Sequence, residues 1–96
     1  MEKETIRNII AKQLDYPTDF KFFDLMQDTI DRIDFDCDED ELEDECNEAI
    51  DNALIYYCDQ WTIYQYYCTP KESFDSAVEM FTIDVYNIAR VIKDAL

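Results

Sequence analysis

Apolar residues recur along most of the chain in steps of three and four, the period of one helical face. Ile6, Ile9, Ile10 and Leu14 predict an amphipathic helix over residues 2–14. Tyr16-Pro17-Thr18-Asp19 interrupts it, because a residue before proline is biased away from helical angles and Thr18 or Asp19 can cap the next helix. Phe23, Met26, Ile30 and Ile33 predict a second helix over 20–33, with Asp24, Asp28 and Asp31 on its other face. A longer stripe runs through Leu42, Cys46, Ala49, Ile50, Ala53, Leu54, Tyr57, Cys58, Trp61, Tyr64 and Cys68. No Pro or Gly interrupts it before Pro70, so it predicts one helix over 40–67, bent or broken only in its aromatic half, with Asp38 or Asp40 as N-cap. Thr69-Pro70-Lys71-Glu72 reads as a capping box with proline at the first helical position. Phe74, Ala77, Val78, Phe81, Val85, Ile88, Ala89 and Ile92 then predict a last helix over 70–94. A strand over 81–86 is the competing reading of the alternation there, but the helical stripe continues on both sides. The pattern predicts an all-α fold: one domain over 1–96, a small bundle of about four helices with one long central helix.

Composition removes several functions. Glycine is absent, which excludes dinucleotide fingerprints and P-loops and disfavours tight hairpins. There is no His, and Ser73 and Ser76 are the only serines, so no Ser–His or Cys–His nucleophile can be assembled. Nothing marks a sheltered carboxylate pair for acid–base work. No enzyme, no catalytic residue and no cofactor is expected. Cys37, Cys46, Cys58 and Cys68 form no Cys-x-x-Cys pair, so no zinc site is expected, and the thiols read as small buried or half-buried hydrophobes. Met1-Glu2-Lys3-Glu4 leads into no apolar run, and no stretch approaches the ~18 apolar residues of a membrane span. The expectation is a cytoplasmic protein with reduced thiols.

Charge changes the picture most. The chain has 24 acidic and 8 basic residues, a formal net charge of −16. Solubility alone is served by a magnitude of about 2–8. Between Arg32 and Lys71 there is no cation. That interval holds Asp34, Asp36, Asp38, Glu39, Asp40, Glu41, Glu43, Asp44, Glu45, Glu48, Asp51 and Asp59. Such a surface repels nucleic acid and anionic membranes and attracts the basic clefts that hold DNA or RNA. Residues 34–51, if helical, extend roughly 27 Å, a line density comparable to what a groove meets on duplex DNA, which carries one charge per ~1.7 Å of axis. Carboxylates can take the Arg and Lys contacts built for phosphate. The plainer reading is a solvated helix face.

Two further patterns need weighing. Asp34, Asp36, Asp38, Asp40 and Glu45 fall at positions 1, 3, 5, 7 and 12 of a calcium-binding EF-hand loop. Position 6 is Glu39, where the turn needs glycine, and position 8 is Glu41, so no metal site is expected. Tyr56, Tyr57, Trp61, Tyr64, Tyr66 and Tyr67 make a helix apolar on every side, which is buried or forms an interface. Tyr56, Tyr57, Trp61, Tyr64 and Tyr67 are the expected surface of a homodimer, with core packing as the alternative.

The stretch Asp40-Glu41-Leu42-Glu43-Asp44, followed by Ala49, Asp51-Asn52-Ala53 and the Tyr56-Tyr57 pair before Asp59, resembles the central helix of the Ocr family of phage DNA mimics. The match is ungapped over 40–53 and needs a one-residue shift to align the tyrosines. The resemblance implies an all-helical, dimeric, non-enzymatic phage protein. Such a protein acts in the cytoplasm of the infected bacterium and occupies the DNA site of a defence enzyme. The acidic C-terminal run of that family has no counterpart in Lys93-Asp94-Ala95-Leu96. The resulting expectation is an acidic anti-restriction or anti-CRISPR inhibitor that binds a basic nucleic-acid-binding protein and not nucleic acid itself. Its mimic surface is the twelve carboxylates from Asp34 to Asp59. The alternative is an antitoxin-like acidic module that covers a basic host protein without copying DNA.

Overall fold

The computed structural model describes residues 2–16, 19–67 and 73–96, and among them it contains helices and no strand. Five helices occur in order: α1 (Lys3–Gln13), α2 (Phe20–Asp31), α3 (Glu39–Ala53), α4 (Tyr57–Tyr67) and α5 (Phe74–Ala95). The all-α expectation is met, including helix across 81–86. The count and the centre differ from expectation: the stretch 40–67 is two helices, and the longest helix is α5. That helix packs against all four others and is the axis of the bundle.

Local chemistry explains the ends. Asp19 caps α2, its carboxylate accepting from the Phe22 amide at 3.2 Å. Asp38 occupies the N-cap of α3 with extended backbone and no side-chain cap bond; Glu39, Asp40 and Glu41 in the first turn complement the helix dipole instead. Ser73 is the N-cap of α5, accepting from the Ser76 amide; the expected Thr69–Glu72 capping box lies outside the described residues. Helix α1 ends in a Schellman turn, with the Tyr16 amide donating to the Ala11 carbonyl at 2.7 Å and the Asp15 amide to Lys12. That turn needs left-handed backbone, usually supplied by glycine. In a chain without glycine, Asp15 (φ 57°) and Tyr16 (φ 53°) adopt it.

The break after α3 requires no Gly or Pro. Ile55, Tyr56 and Tyr57 are weak helix formers. The Leu54 carbonyl, freed at the helix end, accepts from the Gln60 side-chain amide, and the Tyr56 carbonyl accepts both the Asp59 and Gln60 amides at 3.1 Å. The turn shifts the phase of the apolar stripe. Leu42, Cys46, Ala49, Ile50 and Ala53 are buried as expected, but Tyr57, Cys58 and Trp61 are exposed, and Ile63 is the buried residue of α4. Phe22 joins three helices at the core: it stacks on Tyr66 at 3.6 Å and meets Tyr67 and Phe81 edge-on.

Candidate functional site

Helix α3 packs on α5 and is seated by Leu42, Cys46, Ala49, Ile50 and Ala53. At about 100° per residue these five occupy one arc, and Asp40, Glu41, Glu43, Asp44, Glu45, Glu48 and Asp51 spread over roughly 200° of the remainder. With a 1.5 Å rise this is one carboxylate per ~2.5 Å of axis, against ~1.7 Å for both strands of a DNA duplex. All seven are exposed except Glu45, which is half-buried. Among the described residues none of them forms an ion pair. The arrangement is held against its own electrostatics. Asp40–Asp44, Glu41–Glu45 and Asp44–Glu48 are like-charge neighbours at i,i+4, and Asp51 sits near the negative end of the helix dipole.

Asp34, Asp36 and Asp38 precede α3 on an exposed loop, where the Asp34 carboxylate accepts the Asp36 amide at 2.9 Å. Lys93 of α5 reaches this loop. Its Nζ donates to the Phe35 carbonyl at 2.8 Å and to the Cys37 carbonyl. The cation-free interval in sequence is therefore not cation-free in space: Lys93 latches its start. The geometry also does not suit an EF-hand. Helix α3 begins at Glu39, so the last seven positions of such a loop are helical, and carbonyls within its first half are taken by an ammonium group.

Asp59 is set apart from the other eleven acids. It lies on α4, half-buried, in a groove of about 720 Å³ between α2 and α4 that also exposes Asp24, Asp28, Tyr57 and Trp61. Asp24 and Asp28 belong to a second group of acids, on the polar face of α2 and outside the cation-free interval.

The aromatic segment divides by depth. Tyr56, Tyr57 and Trp61 are exposed, Tyr57 at 77% and Trp61 at 49%. Tyr64 is half-buried and stacks on Trp61 at 5.6 Å. Tyr67 is spent on the core: it packs against Phe22 and Phe81, and its hydroxyl donates to the Asp84 carboxylate. Of the five residues expected at a dimer surface, Tyr67 is thus the one turned into the bundle. The thiols divide too. Cys46 is buried, and burial pushes its pKa up to about 11. Cys37 is half-buried and raised for the same reason against the opposing pull of Lys93. Cys58 is exposed, contrary to expectation, and Cys68 lies outside the described residues.

No protein-family model, no curated protein and no solved structure matches the chain. The resemblance of α3 to the phage DNA mimics therefore rests on its own residues. No helix among the described residues is long and apolar enough to cross a membrane.

Proposed function

We propose that this chain is a nucleic-acid-mimicking inhibitor, phage-encoded and acting in the bacterial cytoplasm. It occupies the DNA- or RNA-binding cleft of a defence protein such as a restriction enzyme or CRISPR effector. The observation that carries the reading is the solvated acidic arc of α3, seven carboxylates without an ion pair among the described residues on a helix anchored by five buried side chains. A face kept only for solubility would be expected to intersperse cations and relieve the i,i+4 repulsion. A cleft evolved for phosphate supplies the missing cations.

The test is displacement of a labelled DNA duplex from a purified type I restriction enzyme or CRISPR effector. Wild-type protein is expected to release the duplex and to bind no nucleic acid itself. Glu41→Gln alone should change little, because one exposed pair is worth about 0–1 kcal/mol. Neutralising Asp38, Asp40, Glu41, Asp44, Glu45 and Glu48 together should weaken inhibition roughly a hundredfold, at about half a kcal/mol per pair. Raising salt from 50 to 200 mM should weaken it as well. A folded six-fold variant that inhibits as strongly as wild type sinks the proposal.

A second reading has its own observation. The carboxylates wrap roughly 200° of one short helix instead of forming two extended rows, which suits an acidic module covering a basic protein without copying DNA. The same assay separates the two, since such a module leaves the partner's duplex in place.

A further inference from the structure

We propose that the ridge formed by Tyr57 and Trp61, with the groove between α4 and α2, docks an arginine-bearing segment of a partner protein. This does not depend on the reading of α3. Tyr57 and Trp61 lie one helical turn apart and share two hollows. The larger, about 720 Å³, has Leu25 at its apolar side and Asp24, Asp28 and Asp59 on its walls. The smaller, about 230 Å³, runs towards Phe74 on the other flank. Stacking on Tyr64 holds the Trp61 ring in place while half of the residue stays in solvent. A half-exposed indole stacked on Tyr64 and flanked by Tyr57 is the kind of anchor that carries binding energy at protein interfaces.

Charge selects the occupant. Asp24 is engaged by Arg7 at 3.4 Å, and Lys21 is the one cation lining the groove among the described residues. Asp28 and Asp59 form no ion pair among the described residues. A guanidinium can lie flat on an aromatic face and still direct its donors to a carboxylate, which the compact ammonium of lysine does less well. A second copy of the chain is a poor fit. A two-fold contact sets the same patch against itself, so the groove's Asp24, Asp28 and Asp59 would meet an equally acidic groove, with Lys21 the one lining cation on each side among the described residues. Nucleic acid is excluded by the same carboxylates.

Trp61 is the single tryptophan of the chain, so its fluorescence reports directly on the ridge. The probes are capped nine-residue Ala/Ser peptides carrying either three arginines or three lysines, titrated at 150 mM salt. The arginine peptide should shift Trp61 emission saturably and bind at least about fivefold tighter than the lysine peptide. Tyr57→Ala should weaken it about fivefold, and Asp28→Asn with Asp59→Asn about tenfold. The charge-matched pair Asp44→Asn with Glu48→Gln, on α3, should leave affinity within about twofold. Equal binding of both peptides, or equal losses from the two charge-matched pairs, overturns the proposal in favour of diffuse electrostatics. A dimer in sedimentation analysis, with Trp61 buried before any peptide is added, overturns it in favour of a second copy. The assay contains no nucleic-acid-binding protein, so such a failure leaves the reading of α3 untouched.

Discussion

The hydroxyl of Tyr67 and the carboxylate of Asp84 tie α4 to α5 at the point where both meet Phe22. Burial, and then the hydrogen bond to Asp84, push the phenol well above the ordinary tyrosine range, and burial raises Tyr66 in the same direction. The consequence for stability has a definite sign. Below pH ~10 the phenol is protonated in both folded and unfolded chains and contributes its full effect. Above pH ~10 the unfolded chain releases the proton while the folded chain retains it, so stability falls as pH rises. Urea unfolding at pH 7 should show that Tyr67→Phe costs about 1 kcal/mol, because Asp84 loses its donor. Between about pH 10 and 11 the wild type should lose stability faster than Tyr67→Phe, converging on it. Parallel curves would mean that the phenol is not the group being titrated.

At the scale of the element, α3 and α4 mark how far the sequence could be read. The spacing of Phe23, Met26 and Ile30 marks the buried face of α2, since a single uninterrupted helix keeps one phase; Phe22 and Leu25 widen that face, and Ile33 is buried just past the helix end. Extending the stripe of α3 past Ala53 failed, because the turn at 54–56 is built from ordinary residues and closed by Gln60, a side chain with no special turn signature. Once the phase slips, Tyr57 and Trp61 exchange places with Ile63 and Tyr67, and no periodicity argument can detect the exchange. The acidic character of α3 was legible because it needs only counting. Its energetic consequence is open to measurement. A variant that neutralises only Asp44, Glu45 and Glu48, leaving the first-turn acids that favour the helix dipole, relieves three like-charge i,i+4 pairs, each unfavourable by about 0.2–0.5 kcal/mol. It should melt higher than wild type by a few degrees at low salt, for roughly 1 kcal/mol gained. The gap should narrow in 0.5 M salt. A variant that melts lower would mean that these carboxylates support the helix, as capping groups do, and are not tolerated at its expense.

For the molecule as a whole, chain order hides the contacts that the bundle assembles from distant pieces. Lys93 meets the carbonyls of Phe35 and Cys37 across 58 and 56 residues, and Arg7 meets Asp24 across 17. The groove joining Asp24 and Asp28 to Asp59 and Trp61 is equally invisible to a reading that groups charges by neighbourhood in sequence. Long-range packing decides such juxtapositions, and one sequence carries little signal for them. The turn at Leu54–Tyr56 has a further effect when a single partner meets both surfaces. It hands the carboxylate arc to α3 and the aromatic ridge to α4, so the two can be altered separately, and they act at different moments of an encounter. Long-range charge governs how often partners find one another; short-range aromatic contact governs how long they stay. Stopped-flow measurements with such a partner should find association roughly a hundredfold slower for the six-fold α3 variant, with dissociation little changed. Tyr57→Ala should associate normally and leave about fivefold sooner. Three residues of irregular backbone would then separate capture from residence in a chain of 96.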